Sequence, residues 1–202
     1  MLHAVIGTAL VCGGASALNE YVEREIDERM PRTRARPLPA GAVTPREAVV
    51  FAWAISLIGL VYLWQTVNLA TVAVVAASLV SYVFLYTPLK RRTTVATLVG
   101  AIPGALPMMA GWTATGRPLE LGAWVIFAIM FLWQIPHFLA LAWLYREDYR
   151  AGGLVMLPVD DEDGVQTARQ CFNYTAGLVP VSLLPSVLGL TGIIYFGGAL
   201  LL

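Results

Sequence analysis

The chain of 202 residues predicts an all-α fold, a polytopic bundle of membrane-spanning helices forming a single domain over residues 1–202. Three observations predict it. First, 58% of the residues are apolar, 13% are charged, and the mean hydropathy is +0.70. That is too little charge to coat a soluble domain of this size. Second, apolar runs close to the roughly 20 residues a spanning helix needs recur along the whole chain. Third, twelve of the thirteen basic residues fall in three alternate loops, the asymmetry that orients helices in a membrane. Net charge is zero, and nothing in it points to nucleic acid.

The predicted spans are about 2–18, 47–64, 68–86, 94–113, 121–143 and 172–190, with another starting near 191. The second opens on Thr44-Pro45-Arg46-Glu47, a capping box with proline at the first helical position. Prolines 103, 107, 136, 180 and 185 fall within spans. In lipid such breakers are tolerated where neighbouring helices or a cavity take up the freed backbone groups. The polar loops 19–46, 87–93 and 144–171 carry the basic residues, Arg117 alone excepted, and are expected on the cytoplasmic side. The amino terminus is then expected outside, yet only Met1 precedes the first span, and the chain stops within the apolar run GIIYFGGALLL. The expectation is a piece of a larger bundle, with at least one helix upstream and more downstream.

Asn19, Glu23 and Asp27 recur at i, i+4 and i+8, which puts three oxygen-bearing side chains on one helix face. They lie where the first span leaves the bilayer. Oxygen ligands so spaced suit Mg²⁺, which takes carboxylates together with phosphate oxygens and water. Arginines follow at 29, 32 and 36, with forked donors that match phosphate. A diphosphate held and drawn off as a leaving group is the chemistry such a set supports. A solvated juxtamembrane helix whose acids and arginines pair with one another fits the same charge pattern.

The stretch Asn19–Leu38, N-x-x-x-E-x-x-x-D-x-x-M-x-R-T-x-x-R-P-L, resembles the first aspartate-rich motif of the UbiA superfamily of intramembrane prenyltransferases. Further similar blocks are YTPLKRRT (86–93), GAIPGALP (100–107), WQIPHF (133–138) and EDYRAGGLVMLPV (147–159). Within the superfamily the MPRTRARPL tail is most similar to the branch that farnesylates haem. The resemblance implies a nine-helix fold of which about seven helices are present. It implies transfer of a farnesyl group from farnesyl diphosphate to a vinyl group of protohaem IX, giving haem O, with Mg²⁺ as cofactor. The implied metal ligands are Asn19, Glu23 and Asp27 with Glu147 and Asp148 opposite, and the implied diphosphate partners are Arg24, Arg32, Arg36, Lys90 and Arg91. Asp27, Glu23 and Tyr149 are the expected catalytic residues. The implied setting is the inner membrane, with the site facing the cytoplasm and haem A synthase or oxidase assembly factors as partners.

Two departures from the pattern stand out. Glu23 replaces the usual aspartate. The second motif, a D-x-x-x-D elsewhere in the superfamily, is here Tyr145-Arg-Glu-Asp-Tyr149, which favours the haem branch over aromatic, quinone-type prenylation. A transporter is the alternative from another class, but its ionisable groups belong near mid-bilayer. EREID (23–27) and YREDY (145–149) echo each other, each opening a loop of the basic set, and suggest two acidic faces across one cavity.

His137 lies deep in a span, where a polar side chain is costly unless it lines a cavity. It is expected either to bond a neighbouring carbonyl or to contact haem. Cys12 and Cys171 have no metal spacing and no partner His, and read as buried or bystander thiols. Asp160, Asp161, Glu162 and Asp163 are expected to be solvated. Trp64, Trp112 and Trp143 sit where an interfacial belt would place them.

Overall fold

The computed structural model of the chain describes residues 1–201, and among these every regular element is a helix. The long helices are α1 (Leu2–Asp27), α2 (Pro45–Thr66), α3 (Leu69–Val80), α4 (Ala96–Thr113), α5 (Leu121–Leu144) and α8 (Val165–Val187). Two short ones, α6 (Arg146–Gly152) and α7 (Leu157–Asp160), lie in the loop between α5 and α8, and α9 is Ile193–Leu200. Helix α3 runs on through a π-helical turn, Ser81–Tyr86, into one further α turn, Thr87–Leu89.

Local chemistry sets the boundaries. Thr44 caps α2 as the capping box requires: its side chain accepts from the Glu47 amide while Glu47 accepts from the Thr44 amide. Asn68 caps α3 by accepting from the Thr71 amide, and Gly153, at φ +70°, ends α6 in the left-handed region open to glycine.

Helices α1 and α2 form an antiparallel hairpin that closes on small residues. A Cβ at Gly14 would run into Ser56 and the Ala52 carbonyl, and one at Gly59 would meet the Gly7 carbonyl. Close backbone approach of this kind is how helices associate without water to drive them together. The pairs α3–α4, α4–α5 and α5–α8 complete the bundle. Its main core comprises residues such as Val11, Leu18, Leu63, Val75, Leu79 and Met109. Pro107 has no N–H to give the carbonyl of Pro103, and the Ser78 hydroxyl donates to that carbonyl instead, at 2.9 Å. Gln134 on α5 likewise donates to Ala101 O at 2.6 Å, and a Cβ at Gly104 would fill the place of its amide oxygen.

The predicted spans lie within a few residues of the helices, except that the span expected at 172–190 begins earlier, at Val165, and two other expectations are corrected. Helix α1 does not end at 18 but continues to Asp27, so Asn19, Glu23 and Asp27 are all helical. The four acids at 160–163 are not all solvated either. Asp161 is buried and accepts from the amides of Thr167, at 2.6 Å, and Gln166, at 3.4 Å, satisfying the first turn of α8. By length and composition four helices among the described residues are apolar enough to cross a bilayer: α1, α2, the continuous Leu69–Leu89 and α5. Helices α4 and α8 fall outside that set; each holds two prolines, and α8 opens on the polar stretch VQTARQ.

Candidate active site

The last turns of α1 bury their acids. Asn19, Glu23 and Asp27 are 7%, 6% and 1% exposed. Helix geometry aligns them, and Asn19 Nδ2 donates to Glu23 Oε2 at 2.9 Å. The partner side is the end of α3. The π turn widens the helix by one residue per turn, a device frequent at functional sites. After it the Thr87 hydroxyl lies 2.9 Å from Asn19 Oδ1, and Lys90 meets the same group. Lys90 Nζ stands 2.9 Å from Glu23 Oε1, 3.1 Å from Oε2 and 3.4 Å from Asn19 Oδ1. The ammonium is badly aligned with Oε1, which is left buried without a hydrogen bond. It also sits 4.5 Å above the Tyr86 ring, a cation–π contact.

A second ion pair follows one turn on. Arg36 donates to Asp27 Oδ2 at 2.7 Å and approaches Glu20 at 3.8 Å. Burial alone would lower the Arg36 pKa, but its bond to Asp27 and the charges of Asp27, Glu20 and Glu23 raise it above its usual value. The Asp27 carbonyl accepts from the Thr33 hydroxyl at 2.9 Å, which folds the following loop back over the helix end. Arg32 then reaches the other acidic segment: its guanidinium lies 5.0 Å and 6.0 Å from the Tyr145 and Tyr149 ring centres and 4.0 Å from Asp148. Beneath it Ile26 and Met30 pack with Ala142, Leu154, Met156 and Tyr149. The Val155 amide donates to the Lys90 carbonyl at 2.8 Å. The three basic loops therefore meet at one end of the bundle.

Below Lys90 opens a cavity of about 380 Å³, with walls from α1, α3, α4 and α5. Its lining is mostly apolar, including Val11, Ala15, Val75, Leu79, Pro103 and Phe138, with Tyr82, Tyr86 and Lys90 also facing it. The volume is that of a small-molecule site. A Cβ at Gly100 would strike the Tyr86 ring, so the glycine lets that ring lie against α4.

The predicted residues divide. Asn19, Glu23 and Lys90 come together in one cluster, Asp27 and Arg36 adjoin it, and Arg32, Asp148 and Tyr149 form a separate group beside it. Four are placed elsewhere. Glu147 points outward and pairs with Arg150 at 2.7 Å and Arg146 at 3.6 Å. Arg24 donates to the Tyr21 carbonyl and touches Glu25. Arg91 is exposed. His137 neither lines the cavity nor bonds a carbonyl; it is exposed, stacked on Trp133 at 5.3 Å, while its neighbour Phe138 faces the cavity. Cys12, expected to be a buried or bystander thiol, is exposed and lines the cavity. Among the described residues no three His, Cys, Asp or Glu side chains gather as a metal site. The donor set is instead Asn19 Oδ1 and the two carboxylate oxygens of Glu23, one of them without an aligned hydrogen bond, which suits a hard cation that fills its shell from phosphate and water. Sequence spacing alone did not single out Thr87, Tyr82 and Tyr86.

Comparison with known proteins decides the family. The profile of the UbiA prenyltransferase family matches residues 1–202. The chain belongs to the UbiA prenyltransferase family. Among curated UbiA relatives it is 51% identical over 202 residues to the protoheme IX farnesyltransferase of Solibacter usitatus, covering 69% of that protein. It is 46% identical over 199 residues to that of Sorangium cellulosum, covering 71%, and 44% identical to that of Koribacter versatilis, covering 65%. The chain thus spans about two thirds of the length of these relatives. The same fold is found in the apo structure of a UbiA homolog from Aeropyrum pernix K1, at TM-score 0.81 and 21% identity over 99% of this chain and 74% of that one. A digeranylgeranylglyceryl phosphate synthase superposes at TM-score 0.72 and 18% identity, covering 99% of this chain and 73% of that one. The chain is a multi-pass membrane protein of this family, with an all-helical UbiA fold.

Proposed function

We propose that this UbiA prenyltransferase transfers a farnesyl group from farnesyl diphosphate to a vinyl group of protohaem IX, giving haem O. The observation that carries the reading is a buried cluster of carboxylates and cations directly above an apolar cavity. It is supported by the curated relatives, named protoheme IX farnesyltransferase, at 44–51% identity. In this reading Asn19 and Glu23, with Asp27 one turn on, hold Mg²⁺. When bound, the ion neutralises charge on the diphosphate as it leaves. Lys90 and Arg36 bind the diphosphate oxygens, Arg32 approaches from the tyrosine-lined side, and the apolar cavity takes the isoprenoid chain. Tyr82 and Tyr86 present ring faces where positive charge grows on the allylic carbon. Tyr149, packed under Arg32, orients that guanidinium. The carbon–oxygen bond breaks with diphosphate as leaving group, the vinyl carbon attacks the allylic cation, and water adds its hydroxyl to the resulting cation with loss of a proton. The cavity keeps bulk water from the first cation.

Ionisable groups at the rim rather than at mid-bilayer favour an enzyme over a transporter. The basic loops meet on the site's side, which supports a cytoplasmic opening in the inner membrane. Supplying protohaem IX, farnesyl diphosphate and Mg²⁺ to membranes that carry the protein tests the reading. The expected product is a farnesylated hydroxyethyl haem, detected by mass. Prenylation of a hydroxybenzoate, with haem untouched, would overturn the acceptor.

A further inference from the structure

We propose that Lys90 is an exchangeable counter-ion. Its ammonium holds the cation position between Asn19 and Glu23 in the substrate-free protein, and on loading it turns to the cavity mouth and takes the diphosphate as its second partner. The inference rests on the reading of this cluster as the diphosphate site and deepens it, because it gives Lys90 two partners in sequence and ties one to the other.

Four observations lead here. Lys90 Nζ contacts Glu23 Oε1, Glu23 Oε2 and Asn19 Oδ1 at 2.9, 3.1 and 3.4 Å, the oxygens that suit a divalent cation. The side chains are buried, 10% exposed for Lys90 and 8% for Glu23, so water does not stand in for a missing charge and the pocket needs a cation at all times. The pairing is nevertheless imperfect, since Oε1 lacks an aligned donor. Finally, Lys90 also faces the cavity and covers the Tyr86 ring, so a short swing carries it from the acids to the mouth.

The backbone allows this swing and little else. The Lys90 amide donates to Tyr86 O at 3.2 Å, and its carbonyl accepts from Val155 at 2.8 Å. The flexible four-carbon stem is the part free to turn. Two like charges at contact distance in a poorly solvated pocket repel strongly, so Lys90 leaves the acids when a divalent ion is held there. Once displaced it has lost its counter-charge, and a diphosphate at the mouth supplies one. Metal and diphosphate then help each other to bind through one side chain, and the coupling is reciprocal.

Lys90 is the sole lysine of the chain, which makes its amine a specific probe. The test uses the membrane-reconstituted protein, a water-soluble acylating reagent, and mass spectrometry of the peptide carrying Lys90. Acylation is expected to be slow in metal-free protein, to rise severalfold with Mn²⁺ alone, and to fall again when inorganic pyrophosphate is added. A parallel EPR titration reads Mn²⁺ occupancy. Mn²⁺ bound with Lys90 acylation unchanged would overturn the exchange and leave the substrate reading intact. No Mn²⁺ bound would overturn the exchange as well as the cation assignment. Absence of haem farnesylation with the exchange observed would overturn only the acceptor. Lys90→Met adds a second readout. It should bind Mn²⁺ at least about tenfold tighter, because no ammonium has to leave the acids first, yet bind Mn²⁺–pyrophosphate more weakly. A lysine with a merely structural role would leave pyrophosphate affinity unchanged.

Discussion

Glu23 and Lys90 are held almost out of solvent by each other, by Asn19 and by Thr87. The energetics are lopsided: a buried pair adds little net stability, but removal of one member costs about 3–5 kcal/mol. Glu23→Leu, which strands the ammonium, is therefore expected to lower the unfolding temperature in detergent far more than Glu120→Leu. That surface acid pairs with Arg117 in a bridge about half exposed, worth about 0–1 kcal/mol. Asp27→Ala removes the partner of Arg36 and should abolish turnover while the protein still inserts; unchanged turnover would take Asp27 out of the site. Legibility at this scale followed periodicity. Asn19, Glu23 and Asp27 were readable because spacing by four has one geometric meaning on a helix. Glu147 and Asp148 were not separable in the same way. Neighbours on a helix point about 100° apart, so one of them meets Arg32 and the other faces its own arginines, and only packing decides which.

Each helix shows where local rules sufficed. The Thr44–Glu47 box and the apolar runs fixed α2, α3 and α5 to within a few residues. The acids at 160–163 show the limit, because a helix starting four residues downstream gave Asp161 its partners. Asp161 accepts hydrogen bonds from Thr167 and the Gln166 amide, which hold its carboxyl below the usual 3.8. A lowered folded value means that its stabilising effect is present above that usual value and lost as pH falls through the lowered one. Asp161→Asn should therefore unfold at a lower temperature than the parent at neutral pH, and the gap should close in acid. On α4, Gly100 makes room for the Tyr86 ring. Gly100→Ala should displace that ring and cost about 1–3 kcal/mol as overpacking does, read as a drop in both unfolding temperature and kcat.

Across the whole molecule the chemistry is divided by depth. Charges collect where the three basic loops meet, and the apolar cavity extends from there toward the other end of α1. Cys12 lies seven residues from Asn19, roughly 10 Å along the helix axis, in the apolar half. Cys12→Phe should therefore raise KM for farnesyl diphosphate and leave inorganic pyrophosphate binding unchanged. An equal loss for both would mean that the two halves are not separable. The bundle and its polar end were legible from hydropathy and charge placement, since both are averages over many residues. The cavity was not. Its walls come from four helices, and Tyr82 and Tyr86 turn toward it, and Thr87 toward Asn19, because of one irregular turn that no pattern announced.

That turn makes residue count a determinant of the site in its own right. Between Ser81 and Tyr86 the chain carries one more residue per turn than an α-helix does. Wound at ordinary α pitch, the same six residues would keep every side chain that touches the acids. They would also turn everything downstream by about 100°, aiming Lys90 and Thr87 away from α1. The enzyme would keep its whole inventory of groups and lose their phase, as a lock does when its pins are intact and its cylinder is turned.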